Sequence, residues 1–329
     1  MRVTVLAGGI GGARFLRGVR RAVAASSGSE PAAEITAVVN TGDDVTLHGL
    51  RICPDLDSVM YTLGDGIDTE RGWGRSGETW RIRDELAAYG AEPTWFGLGD
   101  LDTATHLVRT RMLDAGFSLS DVTTALCQRW QPGVRLLPMT DQRCETHVVV
   151  EFDGARRAIH FQSWWIEHHA ALRALDFVAV GLDEAKPAPG VIEAITETDL
   201  LLIAPSNPVV SIGTIVAISG VGDAIRSTPA PVVGVSPIIG GRPVRGMADA
   251  CLAAIGVEVS AQGVAEHYGA RLAGGLLDGW LIAAGDDAAV AGVDVRRAPL
   301  HMSDDEATAQ MVRAAAAIAG IELPGPSGG

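Results

Sequence analysis

The stretch VTVLAGGIGGARFLRG, residues 3–18, decides the fold. An apolar run stops at two glycine pairs, Gly8-Gly9 and Gly11-Gly12, and a helical pattern follows. Such a turn leaves backbone N–H groups at the start of a helix, which is a place to hold a phosphate; a tight turn without a ligand is the alternative. Arg14 stands where a dinucleotide motif has glycine or alanine and a Walker A loop has lysine, so neither standard fingerprint fits.

Clustered acids follow this turn. NTGDD occupies residues 40–44 and PDLD residues 54–57. Carboxylates are the ligands that Mg²⁺ prefers, and Mg²⁺ commonly accompanies a bound diphosphate, so Asp43, Asp44 and Asp55 are candidate metal ligands. Asp57 is a fourth candidate ligand, although a simple helix N-cap explains it equally well. Asp55 and Asp57 are two residues apart and share a face only if the chain is extended there.

Composition limits the class of protein. The chain has 329 residues, 47% of them hydrophobic, which supports a large core. A formal charge of −14 argues against a general nucleic-acid binder, because phosphate backbones need a basic face. The four cysteines show no C-x-x-C spacing, and no apolar stretch approaches the roughly 18–20 residues that span a bilayer. We therefore expect a cytoplasmic protein with reduced cysteines.

Apolar strand patterns alternate with helical patterns and predict an α/β, Rossmann-like, doubly wound, mainly parallel sheet with helices on both faces. A β-hairpin is expected at 144–161, with its turn at Asp153-Gly154. Residues 64–97 are predicted to be an inserted helical, lid-like segment. Residues 1–323 are predicted to be one domain, and 324–329 a disordered tail. Strands are expected at 3–7, 35–39, 134–138, 146–152, 157–161, 177–181, 200–204 and 231–235, and helices at 11–25, 57–63, 103–115, 120–130, 188–197, 247–255, 262–268 and 305–319.

Four loop segments each follow a predicted strand directly. They are 8–12, 40–44, 205–208 and 236–241. Ligands of doubly wound sheets bind beyond the carboxyl ends of the strands, near the point where the strand order reverses. The sequence therefore predicts that these four segments meet at one rim.

The motifs at this rim resemble one family. AGGIGGARFLRG, VVNTGDD, CPDLDSVMYTL, GLGDLDTATH, LLPMTD, APSNPVVSIG, SPIIGG and GVAEHYG, in this order between residues 3 and 269, are similar to the phospholactate transferases called CofD in archaea and FbiA in actinobacteria. The resemblance implies Mg²⁺-dependent transfer of a phosphoenolpyruvyl or phospholactyl unit from a guanylylated donor to the ribityl hydroxyl of the deazaflavin Fo, in coenzyme F-420 biosynthesis, with release of GMP. It also implies a homodimer. It leaves the identity of the three-carbon acid open.

The resemblance assigns roles to individual residues. The donor nucleotide and its phosphates are expected at Gly8, Gly9, Gly11, Gly12, Asn40, Thr41, Ser206, Asn207, Ser236 and Gly240. Fo is expected at Trp73, Asp100 and His106, with Asp57 deprotonating its hydroxyl. One position departs from the family, since Leu101 stands where an arginine is expected in the LGDxD motif.

Several of these residues have simpler explanations. Ser206 or Asn207 could merely cap a helix that starts near Pro208. Trp73 could belong to a small core of the insertion itself. Arg242 and Arg245 could neutralise phosphate or be solvated surface residues.

Two other functions remain open from the sequence. A nicotinamide-dependent oxidoreductase would need a ribose-binding acid about twenty residues after the glycines, and Glu34 is near that distance but precedes its strand. A non-catalytic deazaflavin or guanine-nucleotide binding protein is the third possibility.

Overall fold

A seven-stranded parallel sheet forms the centre of the computed structural model, which describes residues 1–24 and 33–323. The strands of the protein are β1 (Arg2–Ala7), β2 (Glu34–Val39), β3 (Val45–Leu47), β4 (Leu50–Ile52), β5 (Arg135–Pro138), β6 (Glu145–Phe152), β7 (Ala155–His160), β8 (Ala174–Val180), β9 (Leu200–Ile203), β10 (Val232–Val235), β11 (Ile238–Ile239), β12 (Arg242–Pro243), β13 (Gly279–Ala283) and β14 (Asp294–Ala298). The large sheet has the order β14-β13-β10-β9-β1-β2-β5.

This strand order is that of a doubly wound fold. The chain builds outwards from β1 through β2 to β5, then returns to the other side of β1 with β9 and continues through β10 to β14. The order therefore reverses between β1 and β9, which is where such sheets bind ligands. The predicted Rossmann-like α/β fold is confirmed.

Helices cover both faces of the sheet. They are α1 (Gly9–Ala22), α2 (Pro54–Leu63), α3 (Arg81–Ala88), α4 (Asp100–Asp114), α5 (Leu119–Trp130), α6 (Val191–Thr196), α7 (Thr214–Ala217), α8 (Val221–Ser227), α9 (Ala248–Ala254), α10 (Ala261–Tyr268) and α11 (Asp305–Ile318), with π-helical turns at Ser163–Glu167 and Pro208–Gly213. Side chains alternate along β1, so Val5 packs against α1, α2, α5 and α11 while Leu6 packs against the helices of the other face.

The predicted hairpin is confirmed, and it belongs to a second sheet. β6 and β7 pair antiparallel around Asp153-Gly154, and β8 pairs with the other edge of β6. Val148 and Val150 of this small sheet share a buried cluster with Trp164 of the π-helical turn and Cys251 of α9. The small sheet thus brings residues from the middle of the chain over the carboxyl edge of the large sheet, where Thr146 N–H donates to the Gly42 carbonyl at 2.6 Å.

The predicted strands and helices are present with shifted ends, and the sequence missed others. β13 and β14 were missed because GWLIA starts with glycine and DVRRA is a polar edge strand. The short hairpin of β3 and β4 and the helices α7 and α8 were also missed, whereas α3 lies within the segment 64–97 that was predicted to be helical. The predicted tail at 324–329 lies outside the described residues, as does the end of the first predicted helix at 25.

Helix length and hydropathy decide whether a segment of the described ranges could cross a bilayer. No single helix there is long and apolar enough to cross a bilayer, although the bent pair Pro208–Ala217 and Val221–Ser227 meets the length and composition criteria together.

Candidate active site

The turn after β1 and the turn after β9 meet, as the rim hypothesis predicts. Gly8 N–H donates to Ser206 Oγ at 3.0 Å, and the Ser206 hydroxyl donates to the Gly8 carbonyl at 2.7 Å. A Cβ on Gly8 would lie 2.6 Å from Ser211 Cβ and 2.7 Å from Asp55 Oδ2. Glycine is therefore needed at this position because three chain segments converge on it.

The other glycines of the turn also serve close packing. A Cβ on Gly11 would lie 2.9 Å from the Pro205 carbonyl, and one on Gly12 would lie 2.8 Å from Ser206 Oγ. Gly9 has φ +62°, and its N–H donates to Asp55. The amides of Gly8 and Gly9 thus already have protein partners, so the phosphate contacts expected of this turn stay a prediction.

Asn40 organises the turn after β2. Its Nδ2 donates to Asp55 Oδ2 at 2.9 Å, and its Oδ1 accepts from Gly42 N–H at 2.9 Å. A side chain on Gly42 would meet Thr146 Oγ1 at 2.8 Å and Asn40 Oδ1 at 3.1 Å. One fully buried amide therefore holds a carboxylate of α2 against the backbone that carries Asp43 and Asp44.

Asp43, Asp44 and Asp55 are buried together. Burial raises the pKa of Asp43 well above its usual range, and the neighbouring charge of Asp55 raises it further. Burial also raises the pKa of Asp44 and of Asp55 to about 6 each. Among the described residues, Asp43 Oδ1, Asp44 Oδ1 and the hydroxyls of Thr41 and Thr146 are buried without a hydrogen-bond partner. Carboxylate and hydroxyl oxygens are the donors that a hard divalent cation prefers, so the donor chemistry suits Mg²⁺. The carboxylate oxygens of Asp43, Asp44 and Asp55 do not, however, all lie within 4.8 Å of one another.

The second carboxylate oxygen of Asp44, Oδ2, is bound by a positively charged side chain. Arg51 donates to Asp44 Oδ2 at 3.1 Å and to Glu145 Oε1 at 2.9 Å, and the Cys53 thiol donates to Asp44 Oδ2 at 2.9 Å. Arg51 lies on β4 and Glu145 on β6, so a chain separation of 94 residues is bridged. Neither residue is a candidate from the sequence, because no local motif marks them.

Asp57 does not lie with Asp55. The helix α2 begins at Pro54, three residues before Asp57, and Asp57 N–H makes the helical bond to the Cys53 carbonyl at 2.9 Å. Two residues along a helix turn the side chain by about 200°, so Asp55 faces Asn40 while Asp57 faces α4. The alternative that Asp57 is the N-cap is therefore wrong, because Cys53 occupies that position.

The side chains around Asp57 come mainly from α4. Asp57 Oδ1 accepts from Arg109 Nη2, and Arg109 Nη1 lies 3.0 Å from His106 Nδ1. His106 Nε2 lies 3.5 Å from Asp102 Oδ2, and Tyr61 donates to Asp102 Oδ1 at 2.6 Å. Burial raises the pKa of Asp57, and the charges of Arg109 and His106 oppose that rise. One atom from each of Asp57, Asp102 and His106 lies within 4.8 Å of the others, so this cluster could also hold a metal ion.

The first turn of α4 is hydrogen-bonded to the insertion at residues 64–97. Glu78 accepts from the N–H groups of Leu101 and Asp102 at 2.7 Å each, and Asp100 accepts from Ile82 N–H of α3 at 2.9 Å. Asp100 thus binds the first turn of α3 from outside that helix, and its other oxygen accepts from the Thr79 hydroxyl. Leu101 is 40% exposed and takes part through its backbone, which explains why an arginine side chain is dispensable for this contact.

Trp73 lies in the aromatic cluster of the insertion. Its ring centroid is 6.1 Å from that of Trp80, and Arg71 lies over both rings at 5.6 and 5.3 Å. This supports the alternative of a small internal cluster, while 43% exposure leaves ring surface open. A Cβ on Gly72 would lie 2.1 Å from Arg245 Nη1, so the insertion touches the loop that follows β12.

The remaining predicted residues are engaged locally. Asn207 Oδ1 accepts from Val209 N–H at 3.0 Å, so this residue does cap the π-helical turn Pro208–Gly213. The Ser236 hydroxyl donates to the Ile238 carbonyl at 2.9 Å. Gly240 N–H donates to Asp286 Oδ1 at 3.0 Å in the tight turn between β11 and β12. Their contacts to a nucleotide stay predictions.

Comparison with known proteins agrees with this geometry. The family model described as 2-phospho-L-lactate transferase CofD matches residues 3–317. A protein of Nocardia farcinica named phosphoenolpyruvate transferase is 60% identical and covers 98% of this chain and 96% of its own. Proteins of the same name from Thermobifida fusca and Mycolicibacterium smegmatis are 62% and 59% identical, over 98% of this chain and 99% and 100% of their own.

A solved structure supports the fold alone. A Bacillus halodurans protein described as a member of the UPF0052 family superposes with a TM-score of 0.61 at 17% identity, covering 96% of this chain and 98% of its own. The motifs of the rim, the doubly wound sheet and the full-length match lead to one assignment. The chain belongs to the 2-phospho-L-lactate transferase CofD family.

Proposed function

We propose that this chain transfers a phosphoenolpyruvyl or phospholactyl unit from a guanylylated diphosphate donor to the ribityl hydroxyl of Fo. A new P–O bond forms to the hydroxyl oxygen, the P–O–P linkage to the nucleotide breaks, and GMP leaves. Membership of the CofD family supports this reaction class, and the relatives named phosphoenolpyruvate transferases favour the phosphoenolpyruvyl donor.

One observation carries the proposal. Four buried aspartates, Asp43, Asp44, Asp55 and Asp57, lie beside the point where the strand order reverses, and oxygens of three of them lack partners among the described residues. Such a surplus of buried negative charge is costly unless a cation or a proton offsets it. A diphosphate transferase needs a cation at that position, because phosphoryl transfer depends mainly on positioning and on charge neutralisation.

The residues of the site have separate roles in the proposed reaction. Ser206 and Asn40 hold the two turns together and aim Asp55 at the Asp43–Asp44 backbone. Asp43, Asp44 and Asp55 would hold Mg²⁺, which when bound neutralises diphosphate charge. Arg109 holds Oδ1 of Asp57, and Oδ2 of Asp57, buried without a partner in the described part of the chain, takes the proton of the attacking hydroxyl.

The metal ligands are tested by removing one charge at a time. We expect Asp43→Asn and Asp44→Asn to raise the Mg²⁺ concentration needed for half-maximal turnover, because each variant loses an anionic ligand. Parent-like Mg²⁺ dependence in both variants would remove these residues from the cation site.

The reaction itself is tested by mass spectrometry. Purified protein, Fo and Mg²⁺ are incubated with the enolpyruvyl or the lactyl donor, and the products are identified by mass. We expect GMP and dehydro-F-420-0 from the enolpyruvyl donor. Binding of Fo and donor without formation of GMP would instead support a non-catalytic binding protein.

The nicotinamide oxidoreductase loses support from the position of Glu34. This residue begins β2, so it lies at the edge of the sheet opposite the glycine turn, and Asn40 stands where a ribose-binding acid would be. We expect GDP with Mg²⁺ to raise the melting temperature and NADH to leave it unchanged. The reverse result would favour the oxidoreductase.

A further inference from the structure

Five side chains form a continuous polar chain behind the candidate base. They are Asp57, Arg109, His106, Asp102 and Tyr61, and we name them the Asp57 network. His106 and Arg109 are each 1% exposed and Asp57 is 4% exposed. Because buried polar groups must satisfy one another, the direction of each contact constrains the next.

The hydrogen bond from Arg109 determines the tautomer of His106. A guanidinium donates and never accepts, so the 3.0 Å contact from Arg109 Nη1 requires a lone pair on His106 Nδ1. The ring proton is then on Nε2, which lies 3.5 Å from the carboxylate oxygen Asp102 Oδ2. Tyr61 donates to the other oxygen of Asp102 at 2.6 Å, which holds that carboxylate in place.

The same contacts hold the guanidinium of Arg109. Nη1 donates to His106 Nδ1 and to the Arg51 carbonyl at 3.2 Å, and Nη2 donates to Asp57 Oδ1. The guanidinium is planar and rigid, so fixing Nη1 also fixes the position of Nη2. Asp57 Oδ1 is therefore occupied, whereas Oδ2 lies 3.7 Å from His106 Nδ1, beyond hydrogen-bond distance, and has no hydrogen-bond partner in the described part of the chain.

We propose that His106 is a positioning residue: in its Nε2–H tautomer it holds Arg109, and Arg109 holds Asp57 with Oδ2 turned to the acceptor hydroxyl. This inference rests on the proposed function, in which Asp57 takes the proton. It changes the role that the resemblance gave to His106, because a ring that is 1% exposed, contacts Arg109 through Nδ1 and directs Nε2 towards Asp102 acts from behind the base and does not touch Fo.

A metal ion bound by Asp57, Asp102 and His106 is the competing account of the same atoms. Their ligand atoms are close enough, within 4.8 Å of one another. However, Arg109 already brings a buried positive charge to Asp57 and uses the lone pair of His106 Nδ1. A cation here would have to bind through Asp57 Oδ2 and His106 Nε2, and in the tautomer assigned above Nε2 carries a proton and has no lone pair to offer.

Two substitutions of one residue separate the roles of the two ring nitrogens. The amide of asparagine reaches the position of Nδ1 and can accept from Arg109, whereas the longer glutamine reaches the position of Nε2 and does not replace that acceptor. We expect His106→Asn to keep kcat within about 5-fold and His106→Gln to lose about 10–100-fold, because a displaced catalytic group costs about that much. KM for Fo should change less than about 3-fold in both. A large rise in KM with unchanged kcat would overturn the proposal in favour of direct contact with Fo.

A double variant of His106 and Arg109 and ¹⁵N NMR spectroscopy provide two further readouts. If His106 acts through Arg109, His106→Gln should add little to the kcat loss of Arg109→Lys. Multiplication of the two losses would overturn the proposal. The ¹⁵N chemical shifts of His106 in the parent protein should show Nε2–H and a bare Nδ1, and the opposite tautomer would also overturn it. This measurement needs neither turnover nor a folded variant.

The outcomes separate this proposal from the proposed function. If the parent protein forms no transfer product, the proposed function fails, while the tautomer measurement still tests the network. If the parent protein transfers and His106→Gln keeps the parent kcat, only the positioning role fails. His301→Gln, at an exposed position away from the network, is the matched control and should keep the activity and melting temperature of the parent.

Discussion

Asp57→Asn tests the candidate base and the packing around it together. Asparagine keeps the shape of the side chain and an oxygen for Arg109, but it removes the charge that faces a buried guanidinium. Breaking a buried ion pair costs about 3–5 kcal/mol. Arg109 keeps His106 Nδ1 and the Arg51 carbonyl as acceptors, so we expect the lower end, about 3 kcal/mol of unfolding free energy. In a chain of this size that lowers Tm by roughly 4 °C.

The effect on turnover is larger than the effect on folding. A carboxylate with an ordinary pKa near 4 accepts the proton of an alcohol only as the bond to phosphorus forms, and such assistance contributes about 10²–10⁴ in rate. Asparagine cannot accept that proton. We therefore expect Asp57→Asn to lose about 10²–10⁴ in single-turnover rate, and binding of GDP to change little because Ser206 and Asn40 are untouched.

The assay is single-turnover transfer with saturating Fo and donor, below the melting temperature of the variant. Asp223→Asn is the matched control, since it makes the same chemical change at a side chain that is 83% exposed on α8. It should keep the parent rate and Tm. A folded Asp57→Asn protein that turns over within a few-fold of the parent would refute the general-base role, and an unchanged Tm would refute the ion-pair argument.

Three further predictions concern the rim and the insertion. Gly8→Ala should displace Asp55 and cost about 1–3 kcal/mol by overcrowding, whereas Gly285→Ala, which meets nothing within 4 Å, should not; equal melting curves for both would contradict this. Burial raises the pKa of Asp44 and Asp55 to about 6, so the folded state binds the protons of these carboxyl groups more tightly than the unfolded state does. The stability that these bound protons contribute is therefore lost as pH rises from about 4 to about 6. Mg²⁺, which needs ionised ligands, should therefore raise Tm more at about pH 7.5 than at about pH 5, and an equal rise would argue against these ligands. Trp73→Ala should weaken Fo binding in calorimetry while GDP binding stays intact, and loss of both would indicate a folding defect.

Much of the fold was predictable because local patterns of apolar residues and glycines specify its strands and helices. The apolar runs of β1, β2, β9 and β10 predict strands buried on both faces, and the glycine turn predicts a helix directly after β1. Short, polar or glycine-led strands such as β13 and β14 were missed, since nothing in their own sequences distinguishes them from loops.

The candidate site was predictable only in outline. Loops that follow parallel strands must emerge at one edge, so the sequence alone determined that the glycine turn, Asn40 and Ser206 would meet. Only the tertiary structure decided which way the side chains point. The helix α2 begins before its acids and so turns Asp55 and Asp57 apart, while α4 and the small sheet supply Arg109 and Thr146. The physical reason is that burying charge requires partners, and partners distant in the chain leave no periodic signal in the sequence.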